Sequence, residues 1–363
     1  MQYINDRIDY LDSVRGLAAF AVVIYHFISS HWGWHTSMKI ACMFFNGSDS
    51  VALFFVLSGL VLSLKYLQQS DKPIVFNLPK YAASRFFRLY PAFLLMLAVY
   101  YLHEHWDKLG FTFLKDTFIH NKYYLWEEAL LMRDYHNLFL PAWTLGIEMA
   151  MSLLLPFLVL LIRHDSKLFN YFICIVLIIG KIYISLFLFH FCLGLLIANN
   201  FNAIRDYDFK AYRFYKYRYL LYLVVFFVFG LRHWVAIYPF GSTYTYFANN
   251  ILYLDLFHYT GVAAAAILVI VINNKTAQWV LNTRPLLFLG KISYSLYLTH
   301  WLVIDYFIGN WEYHFQLFPS EKQMFAVGLI FTVLATLILS TALYYLVEKP
   351  CTALGKKVCN RYF

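Results

Sequence analysis

The residues that could carry chemistry in this 363-residue sequence are histidines, arginines and a glutamate inside long apolar segments. Arg15 and His26 are eleven residues apart in the first such segment. This spacing is close to three helical turns, so both side chains share one helix face, about 16 Å apart along the axis. A histidine kept neutral by apolar surroundings can act as a general base. The structural alternative is that Arg15 extends to the membrane surface and His26 bonds to a neighbouring helix.

Two further arginines, Arg85 and Arg88, are predicted at the cytoplasmic, N-terminal end of the third apolar helix. Their guanidinium groups and the helix dipole would together favour phosphate there. The alternative is a basic anchor on the cytoplasmic side of the membrane. Glu148 is predicted one or two turns into the fourth helix from its outer end. A buried glutamate needs a partner, and His26 is one possibility.

The ninth apolar segment places Ser293, Tyr297 and His300 at positions i, i+4 and i+7, which is one stripe of hydroxyl and imidazole groups on a helix. This stripe could bind substrate or could only join helices to one another. Near the C-terminus, Glu348 follows the last apolar segment. We interpret it as part of a charged helix end at the cytoplasmic surface, with a mainly structural role.

The composition predicts how these residues are positioned. Hydrophobic residues make up 61% and charged residues 13% of the chain, with a mean hydropathy of +0.58, whereas soluble domains have about 25% charged residues. The composition excludes a soluble globule, a disordered chain and a disulfide scaffold. The five cysteines are scattered without a C-x-x-C pair, so we expect neither a disulfide framework nor a metal site.

We predict an all-α, polytopic membrane protein with about ten transmembrane helices in a single domain, residues 1–363. At about 20 residues per span, the approximate extents are 11–30, 49–66, 87–102, 142–162, 168–185, 186–199, 217–232, 250–273, 286–308 and 324–347. The fifth and sixth segments could also be one span, a hairpin or a re-entrant pair.

Charge predicts the orientation of these helices. With both termini cytoplasmic, the inner segments hold 19 Lys and Arg residues and the outer segments 8, as the positive-inside rule requires. The longest outer segment, roughly 103–141, is the one extramembrane piece large enough to shape a binding surface.

Six short, different motifs follow one another along the chain. They are Asp12-Ser-Val-Arg15-Gly16 with His26, Phe54-Phe-Val-Leu-Ser58-Gly59, Arg85-Phe-Phe-Arg88-Leu-Tyr90-Pro91, Trp143-Thr-Leu-Gly-Ile-Glu148, Ser293-Tyr-Ser-Leu-Tyr297-Leu-Thr-His300-Trp301 and Val347-Glu348-Lys349-Pro350. Together they resemble the acyltransferase 3 family of integral membrane acyltransferases, of the surface-glycan O-acyltransferase type. Two departures are Gly47-Ser-Asp49, which stands upstream of the family's usual Gly-x-Asp position, and Thr144 in place of a common serine.

The resemblance implies an acyl-CoA donor, acetyl-CoA above all, and an extracytoplasmic glycan acceptor such as a lipopolysaccharide, capsule or exopolysaccharide unit. It also implies a multi-pass protein of the bacterial cytoplasmic (inner) membrane, in contact with membrane lipids. We expect no bound cofactor, no nucleic-acid partner and no appended esterase-like domain. The identity of the acceptor, the acyl chain length and the oligomeric state stay open.

Roles follow from the residues and the resemblance together. The predicted catalytic residues are His26, Glu148 and His300, the predicted donor-binding residues are Arg15, Arg85 and Arg88, and the predicted supporting residues are Ser58, Trp143, Ser293 and Tyr297. Direct transfer and a covalent acyl-histidine intermediate both fit these residues. The rival interpretation is a proton-coupled transporter or flippase of a polyprenyl-linked or acylated glycan, in which Arg15, His26 and Glu148 form a proton relay.

Overall fold

The computed structural model describes residues 8–32, 44–68, 76–121, 124–132, 139–178, 183–231, 256–310 and 320–362. All regular elements within these ranges are helices. Their bounds are α1 Asp9–Phe27, α2 Gly47–Leu67, α3 Leu78–Glu104, α4 Phe111–Phe118, α5 Leu125–Ala129, α6 Ala142–His164, α7 Ser166–Ile178, α8 Tyr183–Asn199, α9 Phe201–Asp206, α10 Arg218–Phe229, α11 Leu256–Asn273, α12 Lys275–Leu281, α13 Arg284–Gly309, α14 Glu321–Leu343 and α15 Lys349–Tyr362. Short 3₁₀ turns cover Trp106–Lys108, Phe209–Ala211 and Arg213–Tyr217, and π-helical turns cover Ile28–Trp32 and Tyr344–Glu348.

Membrane-spanning helices follow from length and hydropathy. In the part of the chain that the structure describes, six helices are long and apolar enough to cross a membrane, and a seventh is added if α11 and α12, which meet at a 95° bend, form one span. The structure has a helix in each of the ten predicted segments, but α7, α8 and the 12-residue α10 are shorter than a span. The prediction of an all-helical, multi-pass membrane protein is therefore confirmed, whereas ten spans and cytoplasmic termini stay predictions.

The start of α3 differs from the prediction in a way that affects the candidate site. The side chain of Asn77 accepts a hydrogen bond from the backbone N–H of Lys80 at 3.0 Å, so the helix begins at Leu78 rather than near residue 87. Arg85 and Arg88 consequently lie in the second and third turns. Because the helix dipole acts mainly within the first turn, the predicted help of the helix end in phosphate binding is wrong.

The end of the last apolar helix also differs from the prediction. Glu348 was expected in a charged helix end at the surface, but the helical path continues through the π turn Tyr344–Glu348 into α15. Pro350 lacks a backbone N–H, and the π turn just before it is the local adjustment that keeps the chain helical. As a result Glu348 is buried, with 3% of its surface exposed.

The chain divides into two compact units, each built from segments distant in sequence. The first unit comprises residues 1–75 and 151–291, and the second comprises residues 76–150 and 292–363. The predicted single domain stays a prediction.

Glycines allow close packing of helices in the first unit. A Cβ on Gly59 would collide with the backbone carbonyl oxygen of Phe191, and a Cβ on Gly194 would collide with that of Val56. These contacts bring α2 and α8 together at backbone distance, as small residues do in membrane helix pairs. Gly16 and Gly290 do the same for α1 and the start of α13.

Aromatic side chains form much of the core of the second unit. The ring of Phe139 is fully buried and packs on the rings of Phe93 and Tyr100, with centroid distances of 6.3 and 5.6 Å. Tyr101 stacks on Phe113 of α4 at 5.6 Å. The segment between α3 and α6, predicted to be an outer loop, therefore contributes to the core of this unit.

Candidate active site

An ion pair joins two predicted site residues of the second unit. Arg85 Nη2 donates to Glu148 Oε1 at 2.8 Å, and the two side chains are 9% and 30% exposed. The Nε atom of Arg85 is buried and has no hydrogen-bond partner among the described residues. Arg88 is half-buried one turn further along α3. Arg85 thus keeps one buried donor, its Nε–H, that no described protein group satisfies.

This ion pair corrects the predicted position of Glu148 relative to the arginines. Phe139, three residues before α6, packs against Phe93 and Tyr100 in the middle of α3. The start of α6 therefore lies next to the middle of α3, not beyond the C-terminal end of α3. Nine residues later, about 13 Å along the chain, Glu148 is level with Arg85, so α6 runs antiparallel to α3. The partner that the structure gives Glu148 is Arg85, whereas the sequence suggested His26.

Four charged groups surround one tyrosine of α13. Tyr294 lies in the electrostatic field of Arg85, Arg88, Glu148 and Glu348. Its hydroxyl donates to the backbone carbonyl of α3 at Leu89, 2.7 Å away. Two positive and two negative side chains in one region balance each other, which lowers the cost of burying them.

Glu348, which the sequence analysis treated as structural, belongs to this region. Ser295 Oγ donates to Glu348 Oε2 at 2.8 Å, and both side chains are buried. Ser295 stands between the predicted residues Ser293 and Tyr297 on α13. The signal that could have found this contact is the serine itself, because a hydroxyl in an apolar helix needs a partner.

A directed chain of hydrogen bonds leads from Tyr297 into α6. Tyr297 and Thr144 hydroxyls are 2.6 Å apart, and Thr144 Oγ1 also donates to the carbonyl of Pro141 at 3.2 Å. Threonine has one hydroxyl hydrogen. The arrangement that satisfies both contacts therefore has Tyr297 donating to Thr144 and Thr144 donating to Pro141.

The orientation of His300 follows from its backbone contact. The side chain is 1% exposed, and its Nδ1 lies 2.6 Å from the carbonyl oxygen of Tyr297. A carbonyl only accepts, so Nδ1 carries the hydrogen. In the neutral imidazole, Nε2 then carries the lone pair, which is the atom that a proton acceptor needs. The predicted neighbours Ser293 and Trp143 are buried and half-buried in the same unit.

The remaining predicted residues, Arg15, His26 and Ser58, belong to the first unit. Arg15 Nη1 donates to Asp12 Oδ1 at 2.7 Å, one helical turn earlier. His26 is half-buried next to the ring of Tyr25, and the π turn Ile28–Trp32 begins two residues later. π-helical turns are frequent at functional sites. Ser58 is half-buried on α2, next to a glycine that contacts α8.

A buried carboxylate to which the sequence analysis gave no role lies in the first unit. Asp49 is fully buried and accepts hydrogen bonds from Asn46 Nδ2 and from Thr260 Oγ1, the latter at 3.2 Å. Asn46 also caps α2. The signal for this carboxylate is the Gly47-Ser-Asp49 sequence, but it stands upstream of the position that the family pattern gives to its aspartate.

One group of potential metal ligands stands out among the described residues. The ligand atoms of His103, Glu104 and Asp305 all lie within 4.8 Å of one another. His103 Nε2 and Asp305 Oδ2 are 3.5 Å apart, and both side chains are about one third exposed. An imidazole and two carboxylates could bind a divalent ion. The sequence indicates no metal site, and this stays a prediction.

Comparison with known protein families agrees with this combination of apolar helices and buried polar residues. Residues 8–345 match the acyltransferase 3 family model, described as an acyltransferase domain. The chain therefore belongs to this family of membrane acyltransferases. No curated protein and no solved structure matches the chain significantly.

Proposed function

We propose that this protein is a membrane O-acyltransferase that moves an acyl group, acetyl above all, from cytoplasmic acyl-CoA to a hydroxyl of an extracytoplasmic carbohydrate. The acceptor class is a lipopolysaccharide, capsule or exopolysaccharide unit, and the location is the bacterial inner membrane with both termini cytoplasmic. Family membership supports acyl transfer. The structural observation that supports the donor assignment is Arg85, whose buried Nε–H lacks a partner in the described residues.

The arginines would bind the donor. The Nε–H of Arg85 and the half-buried Arg88 would contact the phosphates of CoA, with Glu148 holding Arg85 in place by their ion pair. Glu148 is then a positioning residue for Arg85, and its suggested role toward His26 stays a prediction. Arg15, already neutralised by Asp12, is proposed to help position the donor.

The transfer itself would use histidine as the proton acceptor. The hydroxyl oxygen of the acceptor attacks the thioester carbonyl carbon, the carbon–sulfur bond breaks, and CoA leaves with a proton as the free thiol. His26 is proposed to take the hydroxyl proton, a contribution of about 10²–10⁴-fold in rate. His300, with its Nδ1 bonded to a carbonyl, would accept a hydrogen bond from the acceptor sugar through Nε2. Ser58, Trp143, Ser293 and Tyr297 support these groups.

The test uses membranes containing the wild-type chain, the His26→Ala variant or the His164→Ala variant, supplied with labelled acetyl-CoA and a glycan fraction. His164 is exposed at the end of α6 and serves as the matched control. We expect thiol release and label on the glycan for wild type and the control, and loss of both for His26→Ala at equal protein level.

Other outcomes of this experiment are equally informative. Label that stays on the protein when the glycan is omitted would identify an acyl-histidine intermediate, and its absence would favour direct transfer. Unchanged turnover in His26→Ala would refute the role of His26. No thiol release with any acyl donor would refute the enzyme, and transport of a polyprenyl-linked or acylated glycan would then be the function to measure.

A further inference from the structure

A basic and aromatic segment of the first unit lies outside the proposed reaction. We call residues 207–218 the tyrosine–basic segment. It carries four basic residues and one acidic residue, for a net charge of +3. Lys210, Arg213 and Lys216 are exposed. Nothing in the proposed transfer uses these charges.

The tyrosine–basic segment has a defined structure. Asn273 of α11 donates its side-chain amide to the carbonyls of Ile204 and Tyr207, both at 2.8 Å. The rings of Tyr207 and Tyr212 stack with centroids 5.8 Å apart, and their hydroxyls are hydrogen-bonded at 2.7 Å. The cationic groups are therefore presented from a fixed backbone.

The nearby acidic groups do not cancel the positive charge. Asp206 forms two hydrogen bonds with Arg205, both at 2.8 Å, and this contact lowers the pKa of Asp206. The carboxylate of Asp208 accepts from the backbone N–H of Lys210 at 3.0 Å. The first pair neutralises itself, and the second carboxylate faces the backbone, so the exposed lysines and arginine remain available to an external anion.

The helix that follows places the segment relative to the membrane. α10 begins at Arg218, and none of its side chains is buried in the protein. After Tyr219, its exposed residues are apolar: Leu220, Leu221, Leu223, Val224, Phe226 and Phe227. Exposed side chains of this kind need acyl chains around them, so the segment just before them lies at the level of the headgroups. Tyrosine and basic side chains prefer that level.

We infer that the tyrosine–basic segment is a binding site for anionic phospholipid headgroups of the cytoplasmic leaflet. Lys210, Arg213 and Lys216 would contact the lipid phosphates, and the tyrosines would lie in the interface. Arg218 is held by two tyrosine rings, with its guanidinium carbon 4.7 and 4.3 Å from the ring centroids of Tyr215 and Tyr219. Arg218, which is half-buried, therefore fixes the start of α10. Lys216 also lies over a ring, 4.8 Å from the centroid of Tyr217, but it is exposed and binds with Lys210 and Arg213.

The test measures lipid retention by the full chain. Wild type, the Lys210→Gln/Arg213→Gln/Lys216→Gln variant and a control with Lys356→Gln/Lys357→Gln/Arg361→Gln are placed in nanodiscs of equal phosphatidylglycerol and phosphatidylcholine. Native mass spectrometry then counts the lipids that stay bound. The control removes three exposed charges from α15. Each basic residue near the surface changes binding about fivefold, so we expect at least a tenfold loss of phosphatidylglycerol preference in the first variant and little change in the control.

Each remaining outcome supports or overturns the site. Equal phosphatidylglycerol preference in wild type and the first variant, or equal losses in both variants, would overturn it. Displacement of the lipid by millimolar CoA would identify a site for soluble phosphates instead. If the first variant does not fold, the wild type still decides, because high salt must remove the preference if charge causes it. Preference that persists at high salt would refute the proposal.

Discussion

Replacing Glu148 by glutamine removes the charge that pairs with Arg85 while preserving the shape of the side chain. Breaking a buried ion pair costs about 3–5 kcal/mol, whereas exposed pairs contribute about 0–1 kcal/mol. Glu148 is 30% exposed and Arg85 9% exposed, so we expect a loss of about 1–3 kcal/mol between these limits. At about tenfold per 1.4 kcal/mol, the same loss in donor binding raises the KM for acyl-CoA roughly 5- to 140-fold.

A double-mutant cycle isolates the pair. Arg85→Gln, Glu148→Gln and the double variant are compared with wild type for thermal unfolding in one detergent and for acyl-CoA kinetics. We expect the double variant to lose less stability than the two single variants together, because neither charge is then left alone. Asp206→Asn is the matched control, since it breaks an exposed pair between Arg205 and Asp206 and should leave both measurements unchanged.

The split between KM and kcat decides what Glu148 does. A positioning role for Arg85 raises the KM for acyl-CoA and leaves kcat nearly unchanged. A role in orienting a catalytic histidine lowers kcat instead and changes its pH profile. A coupling energy below about 0.5 kcal/mol would refute the reasoning, because Arg85 would then be held by something other than Glu148.

Three further variants test single contacts. Gly59→Ala places a Cβ against a backbone carbonyl of α8, so the protein should lose several degrees of apparent melting temperature or fail to accumulate, whereas Gly110→Ala, whose Cβ meets one atom at 4.0 Å, should not. Thr144→Val removes the acceptor of the Tyr297 hydroxyl and should lower turnover about tenfold, a loss of about 1–1.5 kcal/mol, while Thr144→Ser should restore it. Ser295→Ala removes the hydroxyl that donates to Glu348, the buried glutamate of the π turn, so the free energy of unfolding should fall by about 1–3 kcal/mol. An unchanged melting temperature would show that this hydrogen bond does not stabilise the protein.

The sequence was informative where a physical signal is local. Long apolar runs predicted a helix in every one of the ten segments, because an apolar chain in lipid must satisfy its backbone hydrogen bonds within the helix. The start of α3 was also readable, since Asn77 followed by Leu78 and Pro79 is a typical helix start. Reading the apolar run alone placed that start nine residues too late, and this error moved Arg85 to a helix end that does not exist.

Contacts between residues far apart in sequence could not be predicted from such local signals. Arg85 and Glu148 are 63 residues apart, and Ser295 and Glu348 are 53 apart. The first contact depends on Phe139 packing against the middle of α3, and hydropathy carries no information on how a connecting segment folds back. The second depends on a π turn that carries the helix past Pro350. Both are decided by side-chain packing rather than by local propensity.

Charge balance explains why the arginine motif comes with two glutamates. An isolated arginine in a membrane helix costs about 2.5–3.5 kcal/mol on insertion scales, and two arginines one turn apart also repel each other. Glu148 and Glu348, from helices far apart in sequence, bring matching negative charge to the surroundings of Tyr294. These two glutamates therefore offset the positive charge of the two arginines in this region. A phosphate reaching Arg85 would meet its Nε–H, because Nη2 is already bonded to Glu148, so the glutamate that stabilises the pair also limits which donors of Arg85 remain for an anion.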